Sequence, residues 1–240
     1  MIDWLKRGAT DPEIELGGET LPIVLRRHPR AKRLTLRLAP DGNSVQITLP
    51  QWARSHEAIA FAHARAEWLN AQLAKIPRAA EPAPGGDVLY RGERLELIWD
   101  ESAPRRPRHA GGTLMLGGQQ SGFVARVRRW MEREALALFE ADAGEYCAAA
   151  ALDPVPVALS RAQKRWGSCS DKARIRINWR LVQAPDPVRR SVVAHEVAHL
   201  VHFDHSPDFH ALLGDIYEGD VKVADRWLKQ HGRSLYASFG

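Results

Sequence analysis

The chain has 240 residues, 45% of them hydrophobic, and a formal net charge of +5. That size and balance fit a soluble globular protein with a real core, in one large domain or two small ones. They exclude a membrane span, since no apolar run approaches the roughly 18 residues one needs. The first stretch, MIDWLKRGATDPE, lacks the apolar segment of a secretory signal, and the two cysteines, Cys147 and Cys169, are far apart and fit no metal-site spacing together. A reduced, cytoplasmic protein is therefore expected. The positive balance favours an anionic partner, though weakly.

Strands come first. Leu21, Ile23 and Leu25, then Leu34, Leu36 and Leu38, then Val45, Ile47 and Leu49 alternate with other residues, with Asp41-Gly42 as a turn. This predicts a three-stranded meander over 14–50 with one apolar face. Arg26, Arg27, Arg30, Lys32, Arg33 and Arg37 crowd its connection and second strand. They read equally as a solvated turn or as a surface for the phosphates of nucleic acid or nucleotides. Ile59, Ala62, Ala66, Leu69 and Leu73 predict one helix over 53–76, ended by Pro77, with Trp68 toward the core.

EPAPGGD at 81–87 reads as a linker, followed by strands at Val88–Tyr90 and Leu95–Trp99 joined at Gly92-Glu93. The basic stretch 101–112, ESAPRRPRHAGG, reads as a loop with a tendency to disorder. A short strand follows at Thr113–Leu116, and a long helix from Ser121 to about Ala151 carries Phe123, Val127, Trp130, Met131, Ala135, Leu138 and Tyr146 as its apolar stripe.

A strand at Val155–Ser160 leads into RAQKRWGSCS, a DKA turn and RIRINWR, which together read as a hairpin. If this hairpin edges a cleft, Lys164 and Arg165 make its rim positive, with Arg174 and Arg176, and Trp166 and Trp179 frame it or pack beneath. Lys164, Arg165, Trp166 and Asn178 are the candidate substrate-binding residues, with Asn178 also able to hold a neighbouring backbone group. Cys169 reads as a small buried residue.

The strongest signal is SVVAHEVAHLVHFDHSPDFH, residues 191–210. Val192, Val193, Ala194, Val197, Ala198, Leu200 and Val201 make an apolar run without Gly or Pro, so a buried helix of about four turns is expected. Residues four apart share a helix face, so His195 and His199 can reach one ion at the roughly 2.0–2.1 Å of zinc–nitrogen bonds. Glu196 lies one step round, placed to accept a proton rather than to bind the metal. Polar groups in so apolar a helix call for a partner that compensates their burial.

A third ligand is needed. His202 lies about 10 Å along the axis from His195, too far unless the helix ends early. His205 precedes Ser206-Pro207, where the chain is expected to turn and bring it back over the metal. His210 lies beyond, and Glu218 suits a pattern in which a later helix supplies a carboxylate. His205 is favoured, then Glu218. Tyr217, Asp220 and Asp225 are candidates to support a ligand histidine. The last two helices are expected at Pro207–Tyr217, and at Val221–Gln230 with Val223, Trp227 and Leu228 inward.

HEVAHLVHFDHSPDF, preceded by RWGSCS (165–170) and RINWRL (176–181), resembles the YgjP-like metallopeptidase family, which is related to the SprT-like and WLM zinc peptidases. The likeness extends to the basic segment RRHPRAKRLTLR. It implies an α+β fold with a gluzincin-type zincin core, zinc ligands at His195, His199 and His205, and Glu196 as the catalytic residue. His210 departs from the family, which usually has Trp there. The organisation expected is an N-terminal β-rich region with one helix over 14–116 and a zincin-like domain over 120–240. The activity expected is zinc-dependent hydrolysis of a peptide or protein. The alternatives are a nucleoside triphosphate phosphohydrolase, against which stands the absence of a P-loop, and a SprT-like protease of DNA-associated proteins.

Overall fold

The computed structural model describes residues 12–39, 42–75 and 81–239. Asp41, Pro77 and the first residues, on which the predicted turn, helix stop and lack of a signal rested, lie outside them. The fold is α+β and divides into two compact units, Met1–Arg78 and Ala79–Phe239. The boundary differs from the one expected at 116–120. Val88, Leu95, Leu97, Leu114 and Leu116 share one hydrophobic core with the long helix and everything after it, so 81–116 belongs with the second unit.

The first unit has strands β1 (Glu13–Leu16), β2 (Glu19–Arg27), β3 (Thr35–Leu38) and β4 (Val45–Leu49), then helices α1 (Ser55–His63) and α2 (Ala66–Leu73). Its sheet runs β1-β2-β4-β3, with β2 and β4 parallel, rather than as a three-stranded meander. Alternation marks which residues face inward but not which strands pair. Leu21, Ile23, Val45, Ile47 and Leu49 pack on Ala58, Ala62, Leu69 and Leu73. The single predicted helix is broken at Arg65 (φ −112°, ψ 16°). Neither Gly nor Pro stands at the break. Trp68 faces solvent, not the core. Arg27 is committed to structure, donating to the carbonyls of Gln51 (3.0 Å) and Ala53 (2.7 Å), whereas Arg26, Arg30, Lys32, Arg33 and Arg37 are exposed.

The second unit opens with β5 (Asp87–Tyr90), β6 (Glu93–Trp99), β7 (Arg108–Ala110) and β8 (Thr113–Leu116) in the order β5-β6-β8-β7, again with the inner pair parallel. This repeats the first sheet. GETLPIVL (18–25) and GERLELIW (92–99) occupy equivalent places, with Leu21 and Ile23 buried in one and Leu95 and Leu97 in the other. Both hairpins turn on residues with positive φ, Gly17-Gly18 and Arg91-Gly92, the geometry that two-residue connections need. The basic stretch 101–112 is ordered, contrary to expectation: Asp100 accepts from the Ser102 N–H (2.9 Å) and hydroxyl (2.7 Å), and β7 pairs with β8.

Helix α3 (Phe123–Ala149) follows, then β9 (Val157–Ser160), β10 (Gly167–Cys169) and β11 (Ile175–Asn178) in a sheet ordered β10-β11-β9. Helices α4 (Asp186–Ala198), α5 (Pro207–Ile216) and α6 (Val221–His231) complete the unit. Ser206 caps α5 and Asp220 caps α6 through their side chains. On α6, Trp227 and Leu228 pack inward as predicted, but Val223 is exposed and Ala224 is the buried residue. No helix among the described residues is long and apolar enough to cross a membrane.

Candidate metal centre

Val188, Val193, Ala194, Val197 and Ala198 bury one side of α4 in the core. The helix ends at Ala198, about a turn sooner than its apolar run suggests, with His199 as its C-cap. The chain then turns through 200–205, and this early stop brings His205 back. His195 Nε2 lies 3.1 Å from His199 Nε2 and 3.3 Å from His205 Nε2. One ligand atom from each histidine falls within 4.8 Å of the others. Phe209, the first inward residue of α5, floors the group, with ring centroids 5.0, 4.5 and 4.9 Å from those of His195, His199 and His205.

The proton positions follow from the partners. His199 Nδ1 sits 2.9 Å from the His202 carbonyl, so Nδ1 carries the hydrogen and Nε2 presents a lone pair. Burial, then the neighbouring histidines, hold the His195 pKa down at about 4, so that ring is neutral near pH 7. Its Nε2 can donate a proton toward only one of the two nitrogens it faces. A shared cation satisfies all three lone pairs at once. The separations also suit a tetrahedral zinc, whose nitrogens at 2.0–2.1 Å stand roughly 3.3 Å apart.

Glu196, the next residue after His195, packs its carboxyl against β10. It is 6% exposed, and burial pushes its carboxyl up to about 7 against the opposing pull of Arg165 and of the Cys169 N–H, which donates to it. A Cβ on Gly167 would stand 2.4 Å from Glu196 Oε1, so only glycine lets the strand come this close. Gly167 and Phe209 are site residues that sequence reasoning missed. The Gly in RWGSCS was a signal for close backbone approach that the Trp and Cys beside it obscured. The support for His199 was also missed: it is the His202 main chain, which no side-chain pattern reveals.

The other candidates sort clearly. His202 contributes its carbonyl and not its ring. Glu218 is engaged elsewhere, by Arg190 Nε (2.6 Å) and the Tyr146 hydroxyl (2.8 Å), which removes it as a ligand. Its pKa is lowered, burial being outweighed by the Arg190 and Tyr146 bonds. Asn178 is fully buried, donating to the Ala162 carbonyl (2.8 Å) and the Tyr236 hydroxyl (3.0 Å). It secures the 161–166 loop, with both amide hydrogens engaged inside the chain. Trp166 packs its ring on Tyr236 at 5.6 Å, and Trp179 is core. Lys164 and Arg165 are exposed. Tyr217 donates to the Pro187 carbonyl (2.8 Å) and Asp220 caps α6, so neither supports a histidine, and Asp225 is exposed. His210 lies at the margin, its ring centroid 6.4 Å from that of His205.

A family model described as YgjP-like, metallopeptidase domain matches residues 32–231. No curated protein and no solved structure matches the chain.

Proposed function

Because the chain belongs to the YgjP-like metallopeptidase family, we propose that it hydrolyses peptide bonds, with His195, His199 and His205 holding a zinc ion and Glu196 as general base. One observation carries this reading. Three imidazoles converge, one ligand atom from each within 4.8 Å of the others, and a buried carboxylate follows the first of them on α4. An all-nitrogen donor set suits zinc better than magnesium, which favours peptide over phosphate-ester chemistry. The helix, the adjacent sheet edge and the returning histidine support a zincin-type core.

When bound, the ion supplies a Lewis acid that polarises a carbonyl oxygen and raises the acidity of water. The chain's own residues do the rest. Glu196 accepts the proton of the attacking water on its carboxylate and returns it to the leaving nitrogen. The Cys169 N–H holds that carboxylate in place. Strand β10 ends its sheet, paired on one side only with β11, and an extended substrate adds along its other side. Lys164 and Arg165 offer positive charge where such a substrate passes.

The test is cleavage of casein by purified protein before and after chelation. Hydrolysis that disappears with chelator and returns with zinc is expected. Phosphate release from nucleoside triphosphates without peptide cleavage would replace this reading with the phosphohydrolase one. The exposed cations of the first unit support a second proposal, electrostatic contact with nucleic acid. Neutralising Arg30, Lys32 and Arg33 should then flatten the salt dependence of DNA binding.

A further inference from the structure

The second unit holds a cleft of about 490 Å³ whose lining includes Arg105, Arg106, Arg126, Arg129 and Arg133, and no carboxylate. Two of these come from the ordered basic connection between β6 and β7. The other three lie on the first turns of α3, at spacings of three and four that place them on one face. None of Arg105, Arg106, Arg126 and Arg129 makes an ion pair among the described residues, and Arg133 reaches only Glu134, at 3.8 Å. So dense a set of like charges is self-repelling unless an anion joins it.

The cleft is built, not merely a basic face. Arg126 is fixed by donating through Nη2 to the Gln119 carbonyl at 2.6 Å, while its Nε is buried without a partner. The connection is held against the sheet: a Cβ on Gly117 would stand 1.8 Å from the Ala103 carbonyl oxygen. The Trp99 indole N–H donates to the Gly118 carbonyl at 2.9 Å. The first turn of α3 borders the cleft at Gly122, and the helix dipole adds to the positive potential there. Trp130 lines the cleft but is only 3% exposed, so no aromatic face is open for a base to stack on.

We propose that this cleft binds a small oligophosphate anion, recognised through its phosphoryl oxygens. Planar guanidinium forks match such oxygens two at a time, and the volume accommodates a short phosphate chain rather than a polymer. The site is separate from the histidine centre and takes no part in hydrolysis.

Calorimetry of the whole 240-residue chain, loaded with zinc, with inorganic tripolyphosphate tests this. All variants are compared in one buffer, so chelation of zinc by the anion cancels between them. Wild type should bind one anion per chain, and citrate much more weakly. Arg106→Gln with Arg129→Gln, both exposed positions, should weaken binding by roughly tenfold or more, with unchanged melting temperature, zinc content and casein cleavage. Arg226→Gln with Lys229→Gln on α6 removes the same charge elsewhere and should stay within about twofold of wild type. No binding by wild type at low salt, or equal loss in both double variants, would overturn the assignment. So would citrate binding as tightly as tripolyphosphate. A single-stranded oligonucleotide losing as much affinity as tripolyphosphate in the Arg106/Arg129 variant would overturn it in favour of nucleic acid.

Discussion

The two halves of helix α4 treat their polar groups oppositely. In the N-terminal half every charge is answered. Arg189, 3% exposed, donates to Asp142 of α3 at 2.8 Å and pairs with Asp186, which also takes Arg91. Arg190 reaches Asp142 (2.9 Å), Glu145 (2.8 Å) and Glu218 (2.6 Å) and lies over the Tyr146 ring. In the C-terminal half, the His195 ring faces those of the C-cap His199 and of His205 from the turn beyond, and Glu196 has the Cys169 N–H as donor and the pull of Arg165. Buried polar groups cost free energy unless partnered. The first half meets that requirement within the chain and fixes the helix on α3. The second does not, and that is where the proposed ion would sit.

Substitutions can break this contrast. The largest effect expected in the open half is from Glu196→Gln, which should lower casein turnover by about 10²–10⁴-fold while zinc content and melting temperature stay at wild-type values. In the closed half, Asp142→Ala strands two arginines and should destabilise the protein by about 3–5 kcal/mol, read by chemical denaturation. Zinc binding by the fraction still folded should persist. Gly167→Ala sharpens the line between them. The added methyl displaces the Glu196 carboxylate and should cost about a hundredfold in kcat, with zinc retained. The smallest effect belongs to Glu218→Ala, whose pair with Arg190 is half-exposed. It should cost no more than about 1 kcal/mol and leave zinc content unchanged. A loss of zinc in this variant would join the two halves and refute the contrast.

How much of this the sequence discloses depends on the range of the interaction. The pairing of His195 with His199, and the place of Glu196 beside them, follow from helix period alone. A turn near His205 is legible in Ser206-Pro207, but the early end of α4 at Ala198, which brings the ring back, is not. What escaped were contacts between elements distant in sequence. Strand order β2-β4-β3 is not written in alternation, and the place of 81–116 in the second core shows only when Leu97 and Leu114 are seen against α3. Asn178 illustrates the converse: a polar residue at the end of a strand facing a cleft reads as a contact for substrate, yet its amide is used up by Ala162 and Tyr236. Glu218 likewise offered ligand chemistry in the right stretch, but Arg190 and Tyr146 claim it.

The central claim is that His205 joins His195 and His199 in holding one ion. Metal analysis of the purified wild-type chain beside His205→Ala and Glu218→Ala tests it most directly. One zinc per chain in wild type and Glu218→Ala, with most of it lost in a folded His205→Ala, is the predicted result. Full occupancy in His205→Ala, or no bound metal in wild type after incubation with zinc, would contradict it.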